Sequence, residues 1–255
     1  MKTWKLFEGA WIDCASLPLA DRGFRYGMSV FETAAVVDGR PLLLQAHLER
    51  LAHAASDCGG VLPALPDFDF SGLGTGLLRF YFTAGEGESC APFAGNIYVL
   101  FDEAEVGWRL APLRVMTCAA PYTPRPGGWK SGNYWQNVDV LAMARRADCD
   151  DALVFNAAGM LVGAAMANVF LLIDGSWVTP ALAAGARDGA VRSWVMGRLG
   201  AREEILEATS AGLCAAAFLT NSRVGIRSIA ELDGRALKIE TESIQQQYFH
   251  EVFSS

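Results

Sequence analysis

Thr33-Ala34-Ala35-Val36-Val37-Asp38-Gly39-Arg40-Pro41-Leu42-Leu43-Leu44-Gln45-Ala46-His47-Leu48-Glu49-Arg50-Leu51-Ala52 is where the chain changes period. Thr33–Val37 and Leu42–Leu44 are apolar arms around an Asp-Gly pair, which accepts positive φ and suits a tight hairpin. From Gln45 the residues Leu48, Leu51, Ala52 and Ala55 fall on one stripe, which predicts a helix closed by Gly59. A hairpin running into an amphipathic helix sets the class as α+β.

Working outward, residues 61–76 are punctuated by Pro and Gly and read as a loop. Strands are predicted over Leu77–Thr83, Asn96–Phe101 and Leu113–Cys118, all rich in aromatic and branched residues. Pro121–Gly128 is the densest breaker segment. It divides an N-terminal α+β lobe (1–120) from a C-terminal β-barrel-like lobe with helices (129–255). Beyond it a helix is predicted over Ser131–Ala147, from Tyr134, Val138, Leu141, Ala142 and Arg145. Hairpins follow at Ala152–Asn156 with Met160–Val162 and at Val169–Ile173 with Trp177–Thr179. A helix preceded by Asp188 and running to Leu199, a strand near Ala216–Thr220 and a last helix from Glu240 complete the pattern.

Apolar residues are 52% of the 255 and charged residues 19%, which provides for a sizeable core and excludes disorder. A net charge of −7 argues against a nucleic-acid partner. Runs without a polar residue, Ala211–Leu219 among them, are too short to cross a bilayer, and the N-terminal residues have no signal-like apolar stretch. Six scattered cysteines without a C-x-x-C pair read as thiols in a reducing cytoplasm. His47, His53 and His250 are the only histidines, and the six-residue spacing of the first two is poor for a shared helix face, so no metal site is expected. Gly72-Leu73-Gly74-Thr75-Gly76 lacks both the spacing and the preceding strand of a dinucleotide loop.

Lys2, Lys5, Lys130 and Lys238 are the only lysines among 21 bases. Arginine stays charged, whereas a desolvated lysine can become a nucleophile, so a mid-chain lysine calls for attention. In Trp129-Lys130-Ser131-Gly132-Asn133-Tyr134 an amine precedes a phenol by four residues, the spacing of one helix side if the helix starts at Lys130. Such a pair beside small residues suits a Schiff-base site for a flat ligand. Gly189-Ala190-Val191 opens a predicted helix whose N–H groups suit an anion, and Arg50 offers a bidentate phosphate contact. Taken singly, Arg50 ordinarily reads as a solvated cation and Tyr134 as core.

Together these segments resemble the fold type IV pyridoxal-phosphate enzymes: branched-chain aminotransferase, D-amino acid aminotransferase and aminodeoxychorismate lyase. The resemblance runs from Ala20 to about Arg235. It is carried by Asp21–Thr33, His47–Leu51, Lys130–Tyr134, Asp151–Leu153, Ala167–Phe170, Gly189–Arg192 and Thr220–Ser222. It implies a two-lobed, D-amino acid aminotransferase-like architecture, pyridoxal 5'-phosphate as cofactor, a homodimer and a small amine or amino-acid substrate. It implies that Lys130 forms the Schiff base and later moves the Cα proton. Arg50 would hold the phosphate with backbone N–H groups at Ala190, Val191, Asn221 and Ser222, and Tyr134 would bond the cofactor's phenolic oxygen. Tyr26, Phe31 and Arg79 fall where the family lines its substrate pocket; Arg79 is placed to meet a substrate carboxylate, with an outward strand arginine as the equal alternative.

The family carries a Glu five residues before the Asn of its Asn-x-Phe block, paired with the pyridine nitrogen; here that position is Gly163. The helix-opening Thr of its phosphate site is Val191, and Asp188 brings negative charge close by. Without the carboxylate the cofactor ring is a weaker electron sink, and transamination suffers first. The Thr220–Ile226 block resembles the lyase branch, whose aromatising product drives its own elimination. The leading expectation is therefore a lyase releasing 4-aminobenzoate and pyruvate. An amino-acid:2-oxo-acid aminotransferase and a weakly active or non-catalytic homologue are the alternatives.

Overall fold

The computed structural model describes residues 1–93, 95–107, 111–124 and 128–254. They divide into two compact units, Met1–Val106 with Trp129–Tyr134 and Gly107–Gly128 with Trp135–Ser255. The expected linker at 121–128 sits at the end of the second unit's first stretch, and its residues 125–127 lie outside the described residues. Trp129–Tyr134 returns to the first unit, so the chain changes unit three times.

The first unit contains β1 (Lys2–Phe7), β2 (Ala10–Asp13), α1 (Arg22–Tyr26), β3 (Ser29–Val37), β4 (Arg40–Pro41), α2 (Leu44–Asp57), β5 (Gly76–Thr83) and β6 (Asn96–Glu103). Its sheet is antiparallel throughout, in the order β2-β1-β6-β5-β3-β4. Asp38 (φ 48°) and Gly39 (φ 79°) make the expected hairpin turn. The second arm is only Arg40–Pro41, because Leu44, read as strand, already opens α2. Gly59 stands just past the helix at φ 75°, and the Gly60 N–H closes onto Ala55 O at 2.8 Å.

Side chains alternate across a strand, and this sorts the sheet into two faces. Val30, Val36, Leu78, Phe80, Phe82, Ile97, Val99 and Phe101 form the core with Leu51, Ala54 and Ala55 of α2. The intervening residues Phe31, Thr33, Arg79, Tyr81, Tyr98 and Asp102 therefore belong to the opposite face.

The second unit contains β7 (Leu113–Thr117), α3 (Trp135–Arg146), β8 (Asp151–Phe155), β9 (Leu161–Ala164), β10 (Asn168–Ile173), β11 (Ser176–Pro180), α4 (Ala190–Leu199), β12 (Arg202–Glu204), α5 (Ala208–Leu213), β13 (Ala216–Asn221), β14 (Gly225–Leu232), β15 (Arg235–Ala236) and α6 (Glu242–Tyr248). Its mixed sheet runs β12-β11-β10-β13-β14-β7-β8-β9, with β15 on β14. Both expected hairpins are present, β8–β9 and β10–β11. The helix predicted from Ser131 begins at Trp135, because Ser131 is drawn into a bridge with Val30. Among the described residues no helix is long and apolar enough to cross a membrane.

Candidate active site

The strip 130–134 lies along β3. Phe31 N–H donates to Lys130 O at 3.0 Å and Gly132 N–H to Ser29 O at 2.8 Å. Two glycines permit this closeness. A Cβ on Gly132 would sit 2.2 Å from Ser29 Oγ, and one on Gly27, itself at φ 65°, would sit 2.1 Å from Asn133 Oδ1. Lys130 and Tyr134 are thus not partners on a first helical turn, as their spacing suggested; extended backbone brings them together over β3.

Their meeting point is Phe31. Lys130 Nζ lies 5.1 Å from the Phe31 ring centre and 5.6 Å from that of Tyr134. Phe31 meets Tyr134 edge-on at 5.3 Å and stacks on Tyr81 at 5.0 Å. An ammonium over ring faces is attracted by their quadrupoles, which fixes its position without a counter-ion. Among the described residues no carboxylate is paired with this amine. Burial pushes the Tyr81 phenol above its usual range, partly offset by Arg79.

Arg79 shares the face of Tyr81 but already holds a carboxylate of its own chain, with Nη1 2.5 Å from Asp102 Oδ2. Tyr26 ends α1 and is exposed; its hydroxyl accepts from Arg25 Nη2 at 2.7 Å, and the Arg25 guanidinium lies 4.8 Å over its ring. Arg50 is half-buried on α2, with Nη1 donating to Ala46 O at 3.0 Å. One turn earlier, buried His47 places Nδ1 2.7 Å from Oε2 of Glu32, also buried. This pair clamps α2 to β3 on the core face, directly behind Phe31 in sequence.

In the second unit, Gly189 caps α4, and the N–H groups of Ala190 and Val191 belong to its unpaired first turn. Asn168 governs this opening. Its Nδ2 donates to Arg187 O at 2.7 Å, and a Cβ on Gly189 would lie 2.2 Å from its Oδ1. Thr220 faces Asn168 across the β10–β13 ladder, with a buried Oγ1 that has no hydrogen-bond partner among the described residues. Asp188, read as unhelpful to an anion, accepts from Ser193 Oγ at 2.9 Å. Asn221 is a turn-builder: Oδ1 accepts from Arg223 and Val224 N–H, both at 3.0 Å, while Nδ2 donates to Met166 O at 3.2 Å. Ser222 follows it in that same β13–β14 turn.

Gly163 is buried on β9, where an added Cβ would stand 3.0 Å from Ala167 O. Asp151, on the paired strand, is committed elsewhere. Its Oδ1 accepts from Ala152 N–H at 2.8 Å, and the Met166 and Ala165 N–H groups also bond it. Burial nevertheless raises its pKa from 3.8 to about 6. A raised carboxyl pKa means the fold binds the proton more tightly than the unfolded chain does, so its contribution falls as pH rises from about 4 through about 6. Asp151→Asn removes this dependence. The variant should gain on the order of 3 kcal/mol relative to the parent between pH 4 and pH 7, measured by urea unfolding at both.

The sequence reading passed over Asp102, Glu32 and the roles of Asn168 and Thr220. The Asn-x-Phe wording pointed at Asn168, whereas Asp102 has no local signal, since only strand register brings it to Arg79.

A family model described as amino-transferase class IV matches residues 29–232. A putative 4-amino-4-deoxychorismate lyase from Legionella pneumophila is 23% identical, with a TM-score of 0.81 over 93% of this chain and 94% of that one. The branched-chain aminotransferase of Thermoproteus uzoniensis is 22% identical, with a TM-score of 0.83 over 97% and 93%. The 4-amino-4-deoxychorismate lyase of Pseudomonas aeruginosa is 24% identical, with a TM-score of 0.81 over 98% of both chains. The two-lobed architecture expected from the sequence is the one these structures share with the chain.

Proposed function

We propose that this chain, which belongs to the amino-transferase class IV family, is a pyridoxal-phosphate-dependent enzyme of fold type IV whose reacting amine is Lys130. The observation that carries the reading is Lys130 Nζ, without a counter-ion among the described residues, held over the rings of Phe31 and Tyr134. The donors present fit a phosphorylated pyridine aldehyde. The first unit offers an amine above an aromatic floor with a phenol beside it; the second, taken by itself, offers a helix start with the orphaned Thr220 hydroxyl near its Asn168 brace.

In this proposal Lys130 holds the cofactor covalently, and Tyr134 donates to its phenolic oxygen. Arg50 and the N–H groups of Ala190, Val191, Asn221 and Ser222 bind its phosphate. When bound, pyridoxal phosphate supplies an electron-poor ring that stabilises a carbanion next to the substrate nitrogen. Once the substrate's amine had replaced it on the cofactor, the released Lys130 Nζ would take the proton from the substrate carbon bearing that nitrogen and return it. Phe31 keeps water from one side of the amine. Borohydride reduction of the protein as purified should leave a phosphopyridoxyl adduct on Lys130 in the peptide mass map. An unmodified Lys130 in protein saturated with the vitamin would refute the assignment.

For the reaction we favour transfer of the amine to a 2-oxo acid. A chorismate-derived acid needs a cation for its second carboxylate, and Arg79 is engaged with Asp102. The lyase yielding 4-aminobenzoate and pyruvate is the second reading, favoured by Gly163, since a weak electron sink suits a reaction driven by aromatisation. Pyruvate release from the chorismate-derived amine against amine transfer to a 2-oxo acid with an uncharged side chain separates the two. If the missing acid limits transfer, Gly163→Glu should speed the half-reaction about tenfold or more. Its Cβ needs only a small shift of Ala167 O. Stopped-flow absorbance measures the gain; no gain with cofactor bound means another group serves the ring nitrogen. A cytoplasmic homodimer acting on a small amine or amino acid, with no nucleic-acid or membrane partner, completes the proposal, and sedimentation measures the dimer.

A further inference from the structure

We propose that Asp102 is a specificity-determining residue: by holding Arg79 it denies the face beside Lys130 a receptor for a second carboxylate, so the amine donor taken there has an uncharged, apolar or aromatic side chain. The inference rests on the cofactor reading above and deepens it to a substrate class.

The argument stays on one face of the first unit's sheet. Lys130 Nζ lies over Phe31, Phe31 stacks on Tyr81, and Arg79 precedes Tyr81 by two residues on β5, hence on the same side. Leu77 is the register partner of Asp102 and Leu100 that of Arg79, so Asp102 is the diagonal neighbour of Arg79 across the β5–β6 ladder. Diagonal pairs lie within reach of long side chains, and Arg79 uses that reach. Its Nη1 and Asp102 Oδ2 stand 2.5 Å apart, with side chains 26% and 37% exposed. The flanking Leu78, Phe80 and Phe101 point into the core, which leaves the pair no alternative inward position.

An arginine alone would present a forked set of donors suited to a carboxylate. Coupled to Asp102 it presents no net charge. A substrate with an acidic side chain would have to displace Asp102 and then face it, a like-charge encounter that discriminates against that substrate. The amine lies over the rings of Phe31 and Tyr134, with Tyr81 stacked on Phe31, an aromatic surface that rewards apolar or aromatic contact.

Glutarate and valerate, equal in length and differing by one carboxylate, are the probes, titrated calorimetrically into the protein as purified. The parent should bind valerate at least as tightly as glutarate. Asp102→Asn, near-isosteric at a partly exposed site, should tighten glutarate about tenfold or more and leave valerate within about twofold. Adding Arg79→Gln to that variant should return glutarate to the parent value. With the loaded enzyme, Asp102→Asn should lower KM for glutamate about tenfold relative to KM for norvaline. A parent that prefers glutarate, or an unchanged ratio in Asp102→Asn, overturns the inference. A borohydride adduct on Lys130 alongside an unchanged ratio sinks this inference alone; absence of the adduct sinks the cofactor reading and this inference together.

Discussion

Lys130→Ala should lose at least about 10⁴-fold in kcat/KM and all of its borohydride-trapped adduct, while melting within a degree or two of the parent. The two halves of that expectation have separate physical sources. What Lys130 gives the fold is its main chain, through the bond from Phe31 N–H to Lys130 O, and alanine keeps it. What it gives the chemistry is Nζ over the rings, which nothing else on the strip replaces. Lys130→Arg sharpens the test. It preserves a cation for the aromatic floor but not a group able to lose a proton and attack a carbonyl, so it should be as inactive as alanine. An arginine variant retaining substantial turnover would place the reacting amine elsewhere.

The second large effect is on stability. Arg22 is fully buried, and its guanidinium donates to five main-chain carbonyls, those of Ala84, Gly85, Glu88, Ala91 and Pro92. Beside it, buried Asp21 accepts from Gly23 N–H, Thr83 Oγ1 and Asn96 Nδ2. Arg22→Ala strands several buried acceptors and leaves Asp21 without its cationic neighbour. Each lost bond of this kind costs about 1–3 kcal/mol, so a total near 5 kcal/mol or above is expected. That is comparable with the whole stability of a typical domain. The variant should lack a cooperative urea transition for the first unit. Arg22→Lys keeps the charge with three donors in place of five and should fall between alanine and the parent. A Arg22→Ala protein within about 1 kcal/mol of the parent would show the carbonyl cage to be dispensable.

These residues also mark where the sequence was legible. Asp38-Gly39 announced its hairpin because the turn is decided by two residues' own φ preferences. The stripe from Leu48 to Ala55 announced α2 because helix contacts repeat every three or four positions. Ser131–Tyr134 reads as helix because Tyr134 keeps the spacing of the α3 stripe. The overriding force is a bridge to Val30, about a hundred residues away in the chain, which no local period encodes. The wording around Asp21-Arg22-Gly23 carried a family resemblance but not a reason, since the partners of Arg22 lie more than sixty residues downstream. For Arg79, equally a ligand for a substrate carboxylate or an outward strand arginine, the local pattern lacks one fact: strand register delivers Asp102 to it.

The return of Trp129–Tyr134 to the first unit has a consequence for the order in which the molecule becomes competent. During synthesis a chain that has emerged as far as Val106 possesses the Phe31 and Tyr81 surface but neither the amine nor the flanking pairing on β3. The pairing of Lys130 with β3 therefore waits until Tyr134 has left the ribosome, and the helix start at Gly189 and the β13–β14 turn that the proposal also calls on emerge later still.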